Sequence, residues 1–409
     1  MKSKRAFSRL FSQALGLWLM LGGGEAIARD RYTEDWDDQR EALSTRGVAF
    51  QLSYTGSFMD HLHGGFRRGA NWQGLLDLAM LVDLEKVAGW RGAILHAEGI
   101  WVQGPSASSM AYIGNINEVS NIQGLAATAR AYHVWLQQRL WADKLRFTIG
   151  WMTLDTDFMI SHSANLFINS ALGPIQTWNI NFATPVYPLA APGFLAEWQM
   201  DERHELQLGV YDGNTGGERG NRRSSNTRLG TDDGAAILLE GARSHEIAGR
   251  AGTVKLGTGW NTGLTTQNAT GDLVHGNGHF YAMLDQTLVP GRDKDAPDRL
   301  TFFTRIGRVI HPGRSMVDFA LDFGVTGSGL RPADQWGLMM TSSRFSRSFV
   351  NATLAGGGSS SNRETTLELT YKAQFNPHLA LQPTLQHIID PQGGSPDATV
   401  LGLVLMLTF

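Results

Sequence analysis

The chain of 409 residues contains no cysteine. That excludes a disulfide framework, a thiolate metal site and a cysteine nucleophile. Charge is scarce too, at 18% of residues against a usual ~25%. The formal net charge of −3 leaves no electrostatic footprint for nucleic acid. No apolar run approaches the roughly 20 residues of a membrane-spanning helix. Neither a G-x-S-x-G nucleophile elbow nor an H-E-x-x-H zinc motif occurs. What is present is glycine (48 residues), tryptophan (12) and a hydrophobic content of 42%. That is too apolar for a disordered chain. Together these features point to strands rather than helices in a membrane.

The first residues read as an address. Lys2, Lys4, Arg5 and Arg9 precede an apolar stretch from Ala14 to Leu21, and Ala26-Ile27-Ala28 follows as a small-residue cleavage site. This order is that of a secretory signal peptide, so residues 1–28 are expected to be removed. Cleavage takes away four of the 35 basic and one of the 38 acidic residues, leaving a net charge of −6. Residues 29–46 are then an acidic, polar periplasmic lead-in, and 47–409 the folded body.

Period-two alternation runs through that body. Leu367, Leu369, Tyr371 and Phe375 fall on one face, with Thr366, Glu368, Thr370 and Lys372 on the other. Val317 to Val325, Val48 to Tyr54 and Leu206 to Val210 repeat the pattern. Short polar turns such as Asp201 to Arg203 and Ala142 to Lys144 alternate with long Gly/Ser/Asn-rich stretches: Asp212 to Gly234, Thr262 to Gly278, Gly356 to Arg363. Trp135, Trp141, Trp151, Trp198 and Tyr211 cluster near strand ends, as interfacial girdles do. A closed antiparallel barrel meets all of this. Lipid takes the apolar face, a wet lumen takes the other, and closure pairs every backbone polar group. The last strand ends on an aromatic, Phe409, and is expected to pair with the first. The length fits an all-β transmembrane barrel of about 16 strands, with 18 also open.

Several segments, in order, resemble the carbohydrate-selective porins of Gram-negative outer membranes, the OprB type. They are Leu43 to Phe50, Val82 to Ala93, Trp135 to Leu140, Phe158 to Ser161, Leu166 to Ser170, Val186 to Gly193, Gly209 to Asn214, Leu367 to Gln374 and Leu381 to Gln386. The resemblance implies a 16-stranded barrel in the outer membrane that passes mono- or oligosaccharides such as glucose into the periplasm. It implies long extracellular loops, some folded into the lumen, and no cofactor. It also implies contact with outer-membrane lipid and lipopolysaccharide, recognition of Phe409 by the outer-membrane assembly machinery, and a homotrimer.

A porin needs no catalytic residue. It needs polar groups that replace a sugar's water, and aromatic faces that pack on its C–H surface. Lumen-phase charges are therefore the candidates for the solute path: Asp77 and Asp83, His96 and Glu98, Arg139, and Arg305. Arg67 and Arg68 with nearby Trp72 form a second candidate group on a loop. Val119 to Ala131, helical in pattern, is expected to fold inward. Glu218, Arg219, Arg222, Arg223 and Arg228 read as a mostly external loop able to meet lipopolysaccharide phosphates. The scattered histidines show no metal-ligand spacing. Ser161-His162-Ser163, read as strand, would send Ser and His to opposite faces, unable to pair as nucleophile and base. The alternative function is a general diffusion porin without sugar preference.

Overall fold

The computed structural model describes residues 34–104, 109–124, 127–226, 230, 232–291, 298–358 and 360–409. The signal segment and Arg228 lie outside them. The described residues form sixteen strands. The first eight are β1 (Val48–His63), β2 (Gly69–Asp83), β3 (Ala93–Gln103), β4 (Thr128–Leu140), β5 (Leu145–Met152), β6 (Ala191–Gln199), β7 (His204–Asp212) and β8 (Ala235–Ile247). The rest are β9 (Arg250–Thr266), β10 (Leu273–Val289), β11 (Leu300–Val309), β12 (Val317–Ser328), β13 (Gln335–Phe345), β14 (Arg363–Asn376), β15 (Leu379–Ile389) and β16 (Ala398–Thr408).

Each strand pairs antiparallel with its sequence neighbours, and β16 returns to β1 to close the barrel. Ser57 lies opposite Val404, and the Phe409 amide donates to the Leu52 carbonyl at 2.9 Å. No sheet edge is left open, which removes the aggregation hazard of an apolar terminal strand. None of the described helices is long and apolar enough to cross a membrane; the strands supply the crossing.

The alternation sorts the two faces cleanly. On β14, Leu367 and Leu369 are 39% and 51% exposed on the outside, while Glu368 and Thr370 are 0% and 2% exposed within. An outer face of this kind suits hydrocarbon, because it presents no polar atoms that lipid would leave unpaired.

The helix Glu34–Thr45 enters at the end where β16 finishes. At this proximal end the turns are short, as at 141–144, 200–203 and 377–378. The distal end carries the long connections, chiefly 104–127, 153–190, 213–234 and 346–362. The glycine-rich stretch from Thr262 to Gly278, expected as a long loop, is mostly strand. β9 and β10 extend through it, with a bulge between His275 and Asn277. Glycine and threonine tolerate the irregular rim, and composition alone misjudged the loop length.

Candidate functional site

Two distal connections fold into the barrel instead of standing in solvent. The connection 153–190 carries Leu154, Phe158, Met159, Phe167, Leu172, Ile175 and Trp178, all buried. A solvent-facing loop would not hold so many large apolar groups. Phe158, Ile175 and Trp178 pack with Tyr211, Leu238 and Tyr281 of the wall. Phe167 packs against Phe303 and Met339. The wall leaves room for these rings by lacking side chains. A Cβ on Gly259 would meet the Trp178 ring at 2.5 Å, and one on Gly337 would meet Phe167 at 2.7 Å. Seating a fully buried tryptophan this way stabilises the docked loop by about 5 kcal/mol from area alone.

Inward-facing charges on the wall then tie the loop backbone down. Arg305 on β11 is wholly buried. Its Nε and Nη2 donate to Asp322 Oδ2 of β12 at 3.0 and 2.8 Å. The same guanidinium donates to the loop carbonyls of Ala171 (2.7 Å), Leu172 (3.0 Å) and Gly173 (2.6 Å). Glu368 accepts from the amides of Ile168 and Asn169, each at 2.9 Å. Glu240 accepts from the Met159 amide at 3.0 Å and the Tyr281 hydroxyl at 2.7 Å. Asp285 accepts from the Ser161 hydroxyl at 2.7 Å and the Ser163 amide at 3.2 Å. Glu364 accepts from the Ile116 amide of the other inner connection at 2.9 Å. A loop without regular structure has orphan amides and carbonyls, and these five side chains satisfy them where water is largely excluded.

The connection 104–127 docks beside it. Ser120 donates to Ser57 of β1 at 3.0 Å, and Gln386 of β15 donates to the Val119 carbonyl at 2.8 Å. The Ser170 amide reaches the Glu118 carbonyl at 2.9 Å, joining the two connections. The Ser109 hydroxyl donates to the Glu118 carboxylate. Burial pushes the Glu118 carboxyl up to about 8, from an ordinary value of 4.5. Docking therefore favours the protonated form. Its contribution is fully present below about pH 4.5 and is lost as the pH rises to about 8. Amide exchange in 109–124, corrected for intrinsic rate, should accelerate between pH 5.5 and 8.5, and Glu118→Gln should flatten the change. Protection that grows with pH would contradict this.

What the loops leave open is a vestibule of about 650 Å³ toward the proximal end, lined by both polar and apolar side chains. Asp77, Asp285, Lys372 and Gln374 project from its wall, and His162 and Asn165 from the inner loop above it. Further along the wall, His96 and Glu98 of β3 meet His133 of β4. Glu98 Oε2 lies 3.1 Å from His96 Nε2 and 2.8 Å from His133 Nδ1. The Trp135 ring stacks on His96 with centroids 4.7 Å apart. Below these, Arg146 of β5 bridges Glu197 of β6 at 2.6 Å and Glu205 of β7 at 3.6 Å.

The sequence-derived candidates divide accordingly. Asp77, His96 and Glu98 face the lumen. Arg139 shares the inward phase of Trp135, near the proximal mouth, where it pairs with Asp143 of the adjoining turn at 3.3 Å. Arg67 and Arg68 lie on the exposed distal turn; Arg67 covers the Tyr112 ring at 4.3 Å and donates to the Ala111 carbonyl at 3.2 Å. Three candidates are corrected. Arg305 is a buried loop anchor, with no face left for a solute. Trp72 belongs to β2, opposite Phe58, and is 44% exposed on the outward face. Asp83 caps the helix Leu84–Ala88, accepting from the amides of Glu85 and Lys86; the first free amides of a helix draw a short acidic side chain to that position.

Other expectations also change. Val119 to Ala131 does fold inward in part, yet its described residues are not helical: 119–124 is irregular and β4 begins at Thr128. Trp141 and Trp198 are exposed as girdle residues should be, whereas Trp135 and Tyr211 turn into the lumen. Ser161 to Ser163 belongs to the inner loop, not to a strand. The loop carrying Glu218 is not wholly external, since Glu218 pairs with Arg130 of β4 at 2.6 Å. The histidines do include one group with ligand geometry, His96 and His133 with Glu98.

The sequence of residues 67–409 matches the model of the carbohydrate-selective porin, OprB family. The chain belongs to the OprB family. Among relatives, the putative porin QuiX of Acinetobacter baylyi is 25% identical over 435 aligned positions, covering 95% of this chain and 97% of QuiX. The high-pH structure of Pseudomonas putida OprB has the same fold, with a TM-score of 0.82 at 20% identity, covering 94% of this chain and all of that one. The outer-membrane channel DcaP of Acinetobacter baumannii is a more distant fold match, with a TM-score of 0.54 at 10% identity over 88% of this chain. This OprB-family porin is thus a sugar channel of a Gram-negative outer membrane. In such barrels the short turns face the periplasm and the long connections face outward. That orientation sets the porin's vestibule at its periplasmic mouth.

Proposed function

We propose that this porin passes monosaccharides such as glucose into the periplasm by facilitated diffusion, with weak, saturable binding along the way. The observation that carries this reading is the pinning of 153–190 across the lumen by Arg305, Glu240, Asp285 and Glu368. A pinned loop gives a bore of fixed width. The groups still facing water there are carboxylates, amides, an amine and imidazoles, which exchange hydrogen bonds with hydroxyls. Such contacts slow a sugar little and let it leave.

Uptake of labelled glucose into proteoliposomes tests this. The initial rate should saturate with glucose concentration, and unlabelled glucose should compete. A rate that rises linearly without limit would favour a general diffusion porin instead.

A further inference from the structure

We propose that His96, Glu98 and His133 form a binding site for a divalent transition metal ion, best suited to Zn2+, on the lumen wall of this porin. The three side chains come from two adjacent strands. His96 and Glu98 stand two residues apart on β3, so a strand's alternation puts both on the inner face. His133 reaches them from β4, beside the bulge where Glu98 and Gly99 change register against His133 and Ala131. One ligand atom from each lies within 4.8 Å of the others. Tetrahedral zinc at about 2.0–2.2 Å from nitrogen and oxygen needs donor separations of about 3.3 Å. The Glu98 oxygen stands 2.8 and 3.1 Å from the two ring nitrogens, and the two nitrogens lie within 4.8 Å of each other, so the side chains must rearrange around the ion.

The surroundings match what a metal site needs. Two imidazoles and one carboxylate prefer zinc or its transition-metal neighbours over calcium or magnesium. A ligating histidine needs its far nitrogen oriented by a partner. His133 Nε2 lies 3.1 Å from the Thr153 hydroxyl of the inner loop. With Nδ1 on the ion, the ring hydrogen stands on Nε2, where Thr153 can accept it. The Trp135 face fixes the plane of His96. The side chains are 12%, 13% and 8% exposed for His96, Glu98 and His133, enough for an ion to enter from the lumen. Asp77, on the same inner face of β2, has a buried carboxylate oxygen without a hydrogen-bond partner.

The test uses the untagged, folded porin in detergent, stripped with a chelator and titrated with ZnCl2 by calorimetry. One Zn2+ per chain is expected. His96→Gln and His133→Gln should each weaken binding at least tenfold, while the control His204→Gln, at an exposed proximal turn, should leave it unchanged. Heat-dependent gel mobility confirms that each variant is a closed barrel. Should His133→Gln not fold, Glu98→Gln serves in its place. Co2+ added to the unaltered protein gives a readout independent of variants: a visible absorption band of tetrahedral intensity. No saturable Zn2+ binding below millimolar concentration would overturn the proposal. So would binding that survives both histidine substitutions, or a Co2+ spectrum of the hexaaquo ion only.

Discussion

Arg305→Met should leave the barrel closed and release the inner loop. The substitution strands Asp322, whose other described partner is the Thr341 hydroxyl at 2.6 Å. It also removes the donor from the carbonyls of Ala171, Leu172 and Gly173. Breaking a buried pair from one side costs about 3–5 kcal/mol. Nearly all of that falls on the docked state of 153–190, since the strand pairing between β11 and β12 does not depend on the side chain. The undocked fraction should rise roughly 10²- to 10⁴-fold. Amide exchange across 159–173 should accelerate, and single-channel conductance should increase and grow noisy. Arg305→Met with Asp322→Asn should recover part of the loss, because no uncompensated charge remains buried. Unchanged exchange and conductance in the single variant would show that Arg305 is not the anchor.

Leu369→Arg should destabilise the barrel itself. Leu369 sits midway along β14, 51% exposed on the outer face. An arginine near the bilayer midplane of such a barrel costs about 2–4 kcal/mol. Reversible denaturant unfolding in bilayers would measure it. The inward neighbour Glu368 is the contrast. Glu368→Gln keeps the size and removes the charge, so it should loosen the loop at Ile168 and Asn169 with little effect on global unfolding. A Leu369→Arg cost below about 0.5 kcal/mol would mean that this face does not meet lipid.

That pair of neighbours also shows what the sequence carries and what it withholds. The alternation of Leu367, Glu368 and Leu369 reports which way each side chain points, because a strand has period two. From this the barrel, its closure by the strand ending at Phe409, and the inward phase of Asp77, His96, Glu98, Arg139 and Arg305 were all legible. Phase does not report what waits inside. Arg305 meets a loop more than 130 residues away in the chain, and no local pattern encodes that meeting. A signal was nonetheless present: a connection carrying Leu154, Phe158, Phe167, Ile175 and Trp178 is too apolar to stand in water. Asp83 had its own signal, since Asp83 followed by Leu84, Glu85 and Lys86 has the order of a capped helix start. The strand alternation masked it. His96 and Glu98 were visible as a pair, but His133 joins them only through the pairing of β3 with β4, which sets it opposite Glu98. Histidine spacing along the chain could not reveal that.

Loops clamped to the wall should leave a narrow bore that binds sugar weakly as it passes. Ionic conductance of single channels in a planar bilayer, titrated with glucose, tests it most directly. Conductance should fall along a saturating curve to a plateau, as sugar occupies the bore and excludes ions. Conductance that changes only with the viscosity of the bulk solution, with no saturation, would contradict it.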